Sequence, residues 1–105
     1  MDRVFKALAD ATRRDLLDKL RIESGQTLSE LAANVAMSRQ AVSRHLQVLE
    51  EANLVSSVWR GREKFHYLNP IPIAEIFERW VGRFERDRTK ALLILKRALE
   101  DRDDD

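Results

Sequence analysis

The chain has 105 residues, of which 44% are hydrophobic and 35% charged, and its formal net charge is only +1. This length fits one domain with a modest core, so a partner subunit would help to bury surface. Because the charges nearly balance, any nucleic-acid footprint has to be local. The absence of cysteine excludes disulfides, thiol catalysis and thiolate metal sites. No apolar run approaches a membrane span and no leader is visible, which predicts a cytoplasmic protein without a membrane partner.

The chain is predicted to open with two helices. In the second helix, Asp10 and Thr12 are alternative N-caps, and a leucine stripe runs from Leu16 to Leu20. A break in the pattern ends this helix. Its mixed charges, including Arg13, are interpreted as a solvated, ion-paired face. The first helix, over residues 1–9, is short and amphipathic, and its apolar residues are Val4, Phe5 and Leu8.

Residues 27–53 predict two further short helices joined by a turn. Thr27 and Glu30 form a capping box, in which the threonine oxygen accepts a backbone N–H and the glutamate reaches back. Ser38 is a second N-cap, and Asn53 tolerates the left-handed conformation that ends many helices. Two short helices in this arrangement are typical of a helix-turn-helix.

The second helix of this pair has a polar face that carries no acidic residue before Glu50. Near the N-terminus of a recognition helix, such side chains can reach base edges in a major groove. The alternative is an ordinary helical hairpin with a solvated polar face. The candidate DNA-binding residues on this face are Ser38, Arg39, Gln40, Ser43, Arg44 and Gln47.

Residues 54–68 predict a β-hairpin, because two β-prone runs flank a turn sequence. If Gly61 and Arg62 are a two-residue turn, Trp59 faces Lys64 across the ladder, whereas a longer loop would move that register. The charged tip is suited to phosphate or the minor groove, although such tips also serve solubility alone. The candidate wing contacts are Arg60, Arg62 and Lys64.

A long helix is predicted over residues 72–99, with Pro72 in its first turn. Its length of roughly 40 Å exceeds what a domain of this size can cover. We therefore expect its apolar stripe, together with the first helix, to form a dimer surface, the alternative being that it folds back on its own domain. The acidic tail, residues 101–105, is expected to fray. The stripe residues assigned to the interface are Phe77, Trp80, Val81, Phe84, Leu92 and Leu95.

These elements predict a mainly α fold with a small β-hairpin, in the order α-α-α-α-β-β-α of a winged helix-turn-helix. The segments ALADATRRDLLDKL, LSELAANVAMSRQAVSRHLQVLEEANLV and RGREKFHYL resemble the ArsR-type family of bacterial winged-helix transcriptional repressors. The resemblance implies a homodimer in which the first and last helices pair, recognition helices enter successive major grooves, and wings contact flanking backbone or minor groove. The positions that match the family's DNA-contacting residues are Ser38, Arg39, Gln40, Ser43, Arg44, Arg60, Arg62 and Lys64.

The chain departs from the family at Ala11, where many members have proline, and at Asn53, where glycine is usual. The cysteine pair of metal-sensing members is absent, and the last helix has no histidine. His45 is expected to be a packed or phosphate-facing residue, and His66 lies in a strand among aromatics. We therefore expect no metal site and no cofactor.

The combined pattern predicts a dimeric, sequence-specific DNA-binding repressor that binds an inverted-repeat operator and does not respond directly to metal. The alternative is a winged-helix scaffold for protein interactions that has no sequence-specific DNA binding. An enzyme is not expected, because no catalytic motif or Gly-rich phosphate loop is present. No sequence feature identifies the operator or the effector.

Overall fold

The computed structural model describes residues 1–103, and these form six α-helices, one π-helical turn and one antiparallel hairpin. The predicted winged helix-turn-helix order is confirmed. The chain divides into a compact unit over Met1–Pro72 and a second unit that begins at Ile73. The elements of the first unit are α1 (Asp2–Leu8), α2 (Ala11–Ile22), α3 (Leu28–Ala32), α4 (Arg39–Glu51), β1 (Val55–Arg60) and β2 (Glu63–Leu68).

Asp10 is the N-cap of α2, which resolves its competition with Thr12. Its carboxylate accepts a hydrogen bond of 3.1 Å from the backbone N–H of Arg13. This bond stabilises the ionised form and lowers the pKa of Asp10. An acid whose pKa is lower in the folded protein contributes stability above its unfolded pKa. That contribution is lost as the pH falls through the folded pKa.

The core of the first unit is built from the apolar faces of four helices and the first residues of the hairpin. Leucines of α2 and α4 supply five of its twelve residues, as their spacing predicts. One leucine of α3 closes the core from the helix-turn-helix side. Its buried apolar residues are Val4, Ala7, Leu16, Leu17, Leu20, Leu31, Val42, Leu46, Leu49, Ala52, Leu54 and Val55.

Helix α4 ends in a Schellman motif centred on Asn53. Its φ of 60° is left-handed, as predicted from its side chain. The backbone N–H of Leu54 donates to the Leu49 carbonyl at 2.9 Å, and that of Asn53 donates to Glu50 at 3.0 Å. These bonds satisfy the last carbonyls of α4 and turn the chain directly into β1.

The hairpin has the register expected for a two-residue turn. Trp59 pairs with Lys64 and Arg60 with Glu63, which leaves Gly61 and Arg62 as the turn. Gly61 has a φ of 64°, as the first central residue of a type II′ turn requires. The hairpin tip is therefore tight, and the alternative of a longer loop is excluded.

An isolated β-bridge, which no sequence pattern indicated, forms outside the hairpin between Gln26 and His66. The His66 N–H donates to the Gln26 carbonyl at 2.8 Å, and the Gln26 N–H donates back at 3.2 Å. The Gln26 side chain also donates to the carbonyls of Lys19 and Glu23, at 3.0 and 2.7 Å. Gln26 thus ties the end of α2 to the wing.

The last helical region differs from the uninterrupted helix predicted over residues 72–99. It consists of α5 (Ile71–Phe77), a π-helical turn (Glu78–Gly82) and α6 (Arg83–Asp103). A Cβ at Gly82 would meet the Glu78 carboxylate, which is the movable end of a flexible side chain. The helix also continues through residues 101–103, which were expected to fray, while 104–105 lie outside the described residues.

None of the helices in the described part of the chain combines the length and apolar character needed to cross a bilayer.

Candidate nucleic-acid interface

The two helices of the helix-turn-helix begin at side-chain caps. The Thr27 oxygen accepts from the Glu30 N–H at 3.3 Å, and the Ser38 oxygen accepts from the Ala41 N–H at 3.1 Å. Glu30 reaches back to the Thr27 hydroxyl, from which its carboxylate accepts at 3.2 Å, and not to the Thr27 backbone N–H as in a full capping box. The caps fix where α3 and α4 start, and so place Ser38 to Ser43 in the first turns of α4.

Helix α4 separates a buried face from a polar one. Val42, Leu46 and Leu49 are at most 2% exposed and hold the helix on the core. The opposite face points to solvent at every candidate position, as the sequence predicts. The exposed residues there are Ser38, Arg39, Gln40, Ser43, Arg44 and Gln47.

The exposed polar residues of α4 differ in their contacts. Arg39 hydrogen-bonds to the Ser29 hydroxyl of α3, and the Gln47 amide donates to Glu51 at 3.4 Å. Within residues 1–103, no protein group hydrogen-bonds to the side chains of Gln40 and Arg44. These two side chains therefore have their whole donor and acceptor capacity available to a ligand.

The three cations assigned to the wing lie in different environments. Arg62 is exposed at the turn, and Arg60 is exposed with its guanidinium carbon 5.5 Å from the Phe65 ring centroid. Lys64 is half-buried, and its ammonium lies 2.9 Å from the Glu50 carboxylate. The structure therefore leaves two arginines available at the tip and pairs the lysine internally.

A groove of about 640 Å³ runs between the helix-turn-helix and the wing. It brings together Arg39, Ser43 and Gln47 of α4 with Arg62 and Lys64 of the wing. The remaining candidates, Ser38, Gln40, Arg44 and Arg60, are exposed outside its lining. Recognition helix and wing thus form one continuous surface with donors on both sides.

Two groove residues were missed by the sequence-based predictions. Trp59 lines the groove and is 65% exposed, which is unusual for so large an apolar side chain. Glu50 also lines the groove, beside His66. The predicted hairpin register, with Trp59 facing Lys64, could have indicated that Trp59 lies beside a candidate DNA contact. No sequence signal indicated the role of Glu50, because its partner Lys64 lies 14 residues away on another element.

The two histidines have protein partners. His45 Nδ1 lies 3.3 Å from the Arg13 guanidinium, and His66 Nδ1 lies 2.9 Å from the Gln26 carbonyl. Since arginine only donates and a carbonyl only accepts, Nδ1 is the acceptor in His45 and the donor in His66. Among the described residues, no group of three or more His, Asp or Glu side chains is placed to hold a metal ion.

The residues assigned to the dimer surface fall into two groups. In α1, Val4 is only 8% exposed and packs in its own unit, whereas Phe5 is 43% exposed and Leu8 is half-buried. Val4 is thus largely unavailable to a partner. In the second unit the stripe residues are all exposed, by 37–68%, and these are Phe77, Trp80, Val81, Phe84, Leu92 and Leu95.

A capped helix-turn-helix with an exposed polar face, followed by a hairpin with an arginine tip, defines a winged helix-turn-helix DNA-binding protein. A family described as a helix-turn-helix domain matches residues 8–58. The transcriptional repressor SdpR of Bacillus subtilis (strain 168) is 35% identical over 69 residues, which are 66% of this chain and 76% of SdpR.

Two solved structures are similar over more of the chain. An ArsR-like transcriptional regulator from Rhodococcus sp. RHA1 is 33% identical, with a TM-score of 0.69, over 94% of this chain and 89% of that one. The homodimeric winged helix-turn-helix DNA-binding domain Mb0332 from Mycobacterium bovis, a possible ArsR-family regulator, is 26% identical. Its TM-score is 0.63, over 82% of this chain and 77% of that one.

The chain belongs to the ArsR-type winged helix-turn-helix transcriptional regulators. It is a DNA-binding regulator, and the prediction that it is not an enzyme is confirmed by this membership.

Proposed function

We propose that the protein is a homodimeric repressor that binds an inverted-repeat operator through α4 and the wing. The exposed polar face of α4, and above all the uncommitted side chains of Gln40 and Arg44, carries this proposal. The similarity to the repressor SdpR supports the direction of regulation, and that to the homodimeric Mb0332 domain supports the assembly. Operator binding would exclude the transcription machinery from the same DNA.

Gln40 and Arg44 are proposed to read bases. Both follow Ser38 in the first turns of α4, and glutamine and arginine can make bidentate contacts to adenine and guanine. We expect Gln40→Ala or Arg44→Ala to weaken operator binding by about 1–3 kcal/mol and to relax preference at one symmetric pair of positions. The operator would first be selected from random DNA with the wild-type protein, and affinities then measured by fluorescence anisotropy.

Arg21→Ala is the matched control for this measurement, because Arg21 is exposed in the last turn of α2, outside the groove lining. Equal loss on operator and scrambled DNA would contradict base reading by Gln40 or Arg44. If the wild-type protein selects no sequence at all, the alternative of a protein-interaction scaffold takes the place of the proposed function.

Arg62 is proposed to contact phosphate or the minor groove from the wing tip. It is exposed beside Gly61, where a Cβ would meet no atom within 4 Å, so the tip has open space around it. We expect Arg62→Ala to lower the slope of log affinity against log salt by about 1 for each phosphate that the arginine neutralises. A salt titration on operator DNA checks this, and an unchanged slope would place the wing away from the DNA.

Metal ions are proposed not to control operator binding directly. The sequence has no cysteine, and both histidines are hydrogen-bonded within the protein. We expect micromolar zinc, cadmium or arsenite to leave the operator affinity unchanged in the anisotropy assay, with a chelator-treated sample as control. Release of DNA by any of them, reversed by the chelator, would disprove this.

A further inference from the structure

Glu50 connects the recognition helix to both strands of the wing. It lies near the end of α4, and its Oε1 accepts a hydrogen bond of 2.8 Å from the Ser57 hydroxyl of β1. On β2, Lys64 Nζ lies 2.9 Å from Oε1 and 3.0 Å from Oε2, and His66 Nε2 lies 3.6 Å from Oε1. Through its bonds to Ser57 and Lys64, one carboxylate therefore holds the wing against the recognition helix.

The same carboxylate determines how much positive charge the groove presents. Lys64 lines the groove with Arg39 and Arg62, so its ammonium would otherwise add a third cation to the proposed DNA surface. Instead both carboxylate oxygens contact the ammonium, which also lies 5.9 Å from the Trp59 ring centroid. The side chains of Lys64 and Glu50 are 33% and 26% exposed, so solvent screens this pair less than a fully exposed one.

We propose that Glu50 is a positioning residue that sets the DNA specificity of this protein. It withholds Lys64 from phosphate and fixes the wing relative to the base-reading face of α4. The proposal rests on the DNA binding proposed above. It gives Glu50 a role in specificity without a contact to DNA. It also reverses the sequence-based assignment of Lys64 as a DNA contact.

The physical consequence concerns non-specific binding. Phosphate contacts carry no sequence information, so each added contact raises the affinity for operator and scrambled DNA alike. A freed Lys64 would add one phosphate contact in each subunit, which increases the salt slope of the proposed dimer by about 1.8. A wing released from Glu50 would at the same time weaken the fit to the operator. Both effects lower the ratio of operator to scrambled affinity.

A salt titration of full-chain variants on operator and scrambled DNA tests this proposal. Glu50→Gln should keep an acceptor for Ser57 but lose the ion pair with Lys64. We expect it to bind scrambled DNA about 3- to 10-fold more tightly at low salt, with a salt slope steeper by about 1 for each subunit, or about 2 for the dimer. The double variant Glu50→Gln/Lys64→Met should return the slope to the wild-type value.

Glu51→Gln is the matched control, because Glu51 is the next residue on α4 and its removal changes the net charge equally. Its amide can still accept the hydrogen bond from Gln47. If Glu50→Gln and Glu51→Gln give the same slopes and the same specificity ratio, only a general charge effect exists and the inference is overturned. Wild-type protein without any sequence preference would instead overturn the proposed function, and the inference with it.

A measurement without DNA tests whether Glu50 holds Lys64 in place. In a Trp80→Phe background, Trp59 is the remaining tryptophan, and its emission reports on the ammonium above its ring. We expect Glu50→Gln, but not Glu51→Gln, to shift this emission while the circular dichroism spectrum stays unchanged. An unshifted emission would show that Glu50 does not hold Lys64 on Trp59.

Discussion

Arg13→Ala is expected to destabilise the protein by about 3 kcal/mol, because the arginine hydrogen-bonds the last turn of the first helix to α2. Its Nε donates to the Ala7 carbonyl and its Nη2 to the Lys6 carbonyl, both at 2.9 Å. A helix of seven residues cannot maintain itself in water, so α1 depends on such contacts. Hydrogen bonds from a charged donor contribute about 1.5–3 kcal/mol each, and here two act together.

Arg13 also contacts α4, since its Nη1 lies 3.3 Å from His45 Nδ1. Urea unfolding at fixed protein concentration measures the destabilisation, with Arg14→Ala as control. Arg14 is exposed and makes a single 2.8 Å hydrogen bond to the Leu8 carbonyl, so we expect its replacement to cost about half as much, roughly 1.5 kcal/mol. Equal destabilisation by the two variants would mean that Arg13 does not support α1.

Elements that depend on local chemistry could be predicted from the sequence. The cap at Ser38 and the left-handed Asn53 follow from what one side chain does to its own backbone. The hairpin register follows from Gly61 in the same way, since the turn decides every pair beyond it. The side of α4 that faces solvent follows from helical periodicity.

The contacts that refine the candidate site are long-range, and the sequence could not supply them. Arg13 was interpreted as part of a solvated face, because only the folded chain brings the carbonyls of α1 and His45 to it. Lys64 was assigned to DNA, because its pairing with Glu50 requires β2 to lie over α4. Both are charges whose partners lie on other elements, and periodicity carries no information about such partners.

The π-helical turn shows the limit of periodicity in the last helix. A strict α-helix would keep Phe77 in line with Phe84, but a π turn closes its hydrogen bonds over one more residue and shifts the phase. Phe77 instead lines a groove with Gly82 and Leu93. The apolar residues of this unit therefore cover more of its circumference than a single stripe.

Replacing one of these exposed apolar residues by glutamate is expected to have a large effect on dimer formation. Trp80 is 56% exposed and Phe84 is 68% exposed, and contiguous apolar surface of this kind marks an interaction site. If a second copy covers it, Trp80→Glu would bury a carboxylate at the interface, at a cost of several kcal/mol of association. Sedimentation should then show a monomer at concentrations where the wild-type protein is dimeric.

Two further variants make this test specific. The Arg79 guanidinium lies 5.1 Å from the Trp80 ring centroid and could partly neutralise a new carboxylate, so Phe84→Glu is needed as an independent disruption. Arg97→Gln is the control, because it lowers the net charge by the same one unit roughly 140° around the helix from Phe84, at an exposed position outside the groove that Phe77 lines.

Loss of the dimer should also remove most of the operator affinity, although α4 is untouched. One helix-turn-helix reads only a few base pairs, whereas a two-fold dimer presents two recognition helices about 34 Å apart and adds their energies. The selected operator should accordingly be an inverted repeat with half-sites one helical turn apart. If the Trp80→Glu and Phe84→Glu proteins remain dimeric and bind this operator normally, the last helix does not join the subunits, and the exposed Phe5 of α1 becomes the next position to replace.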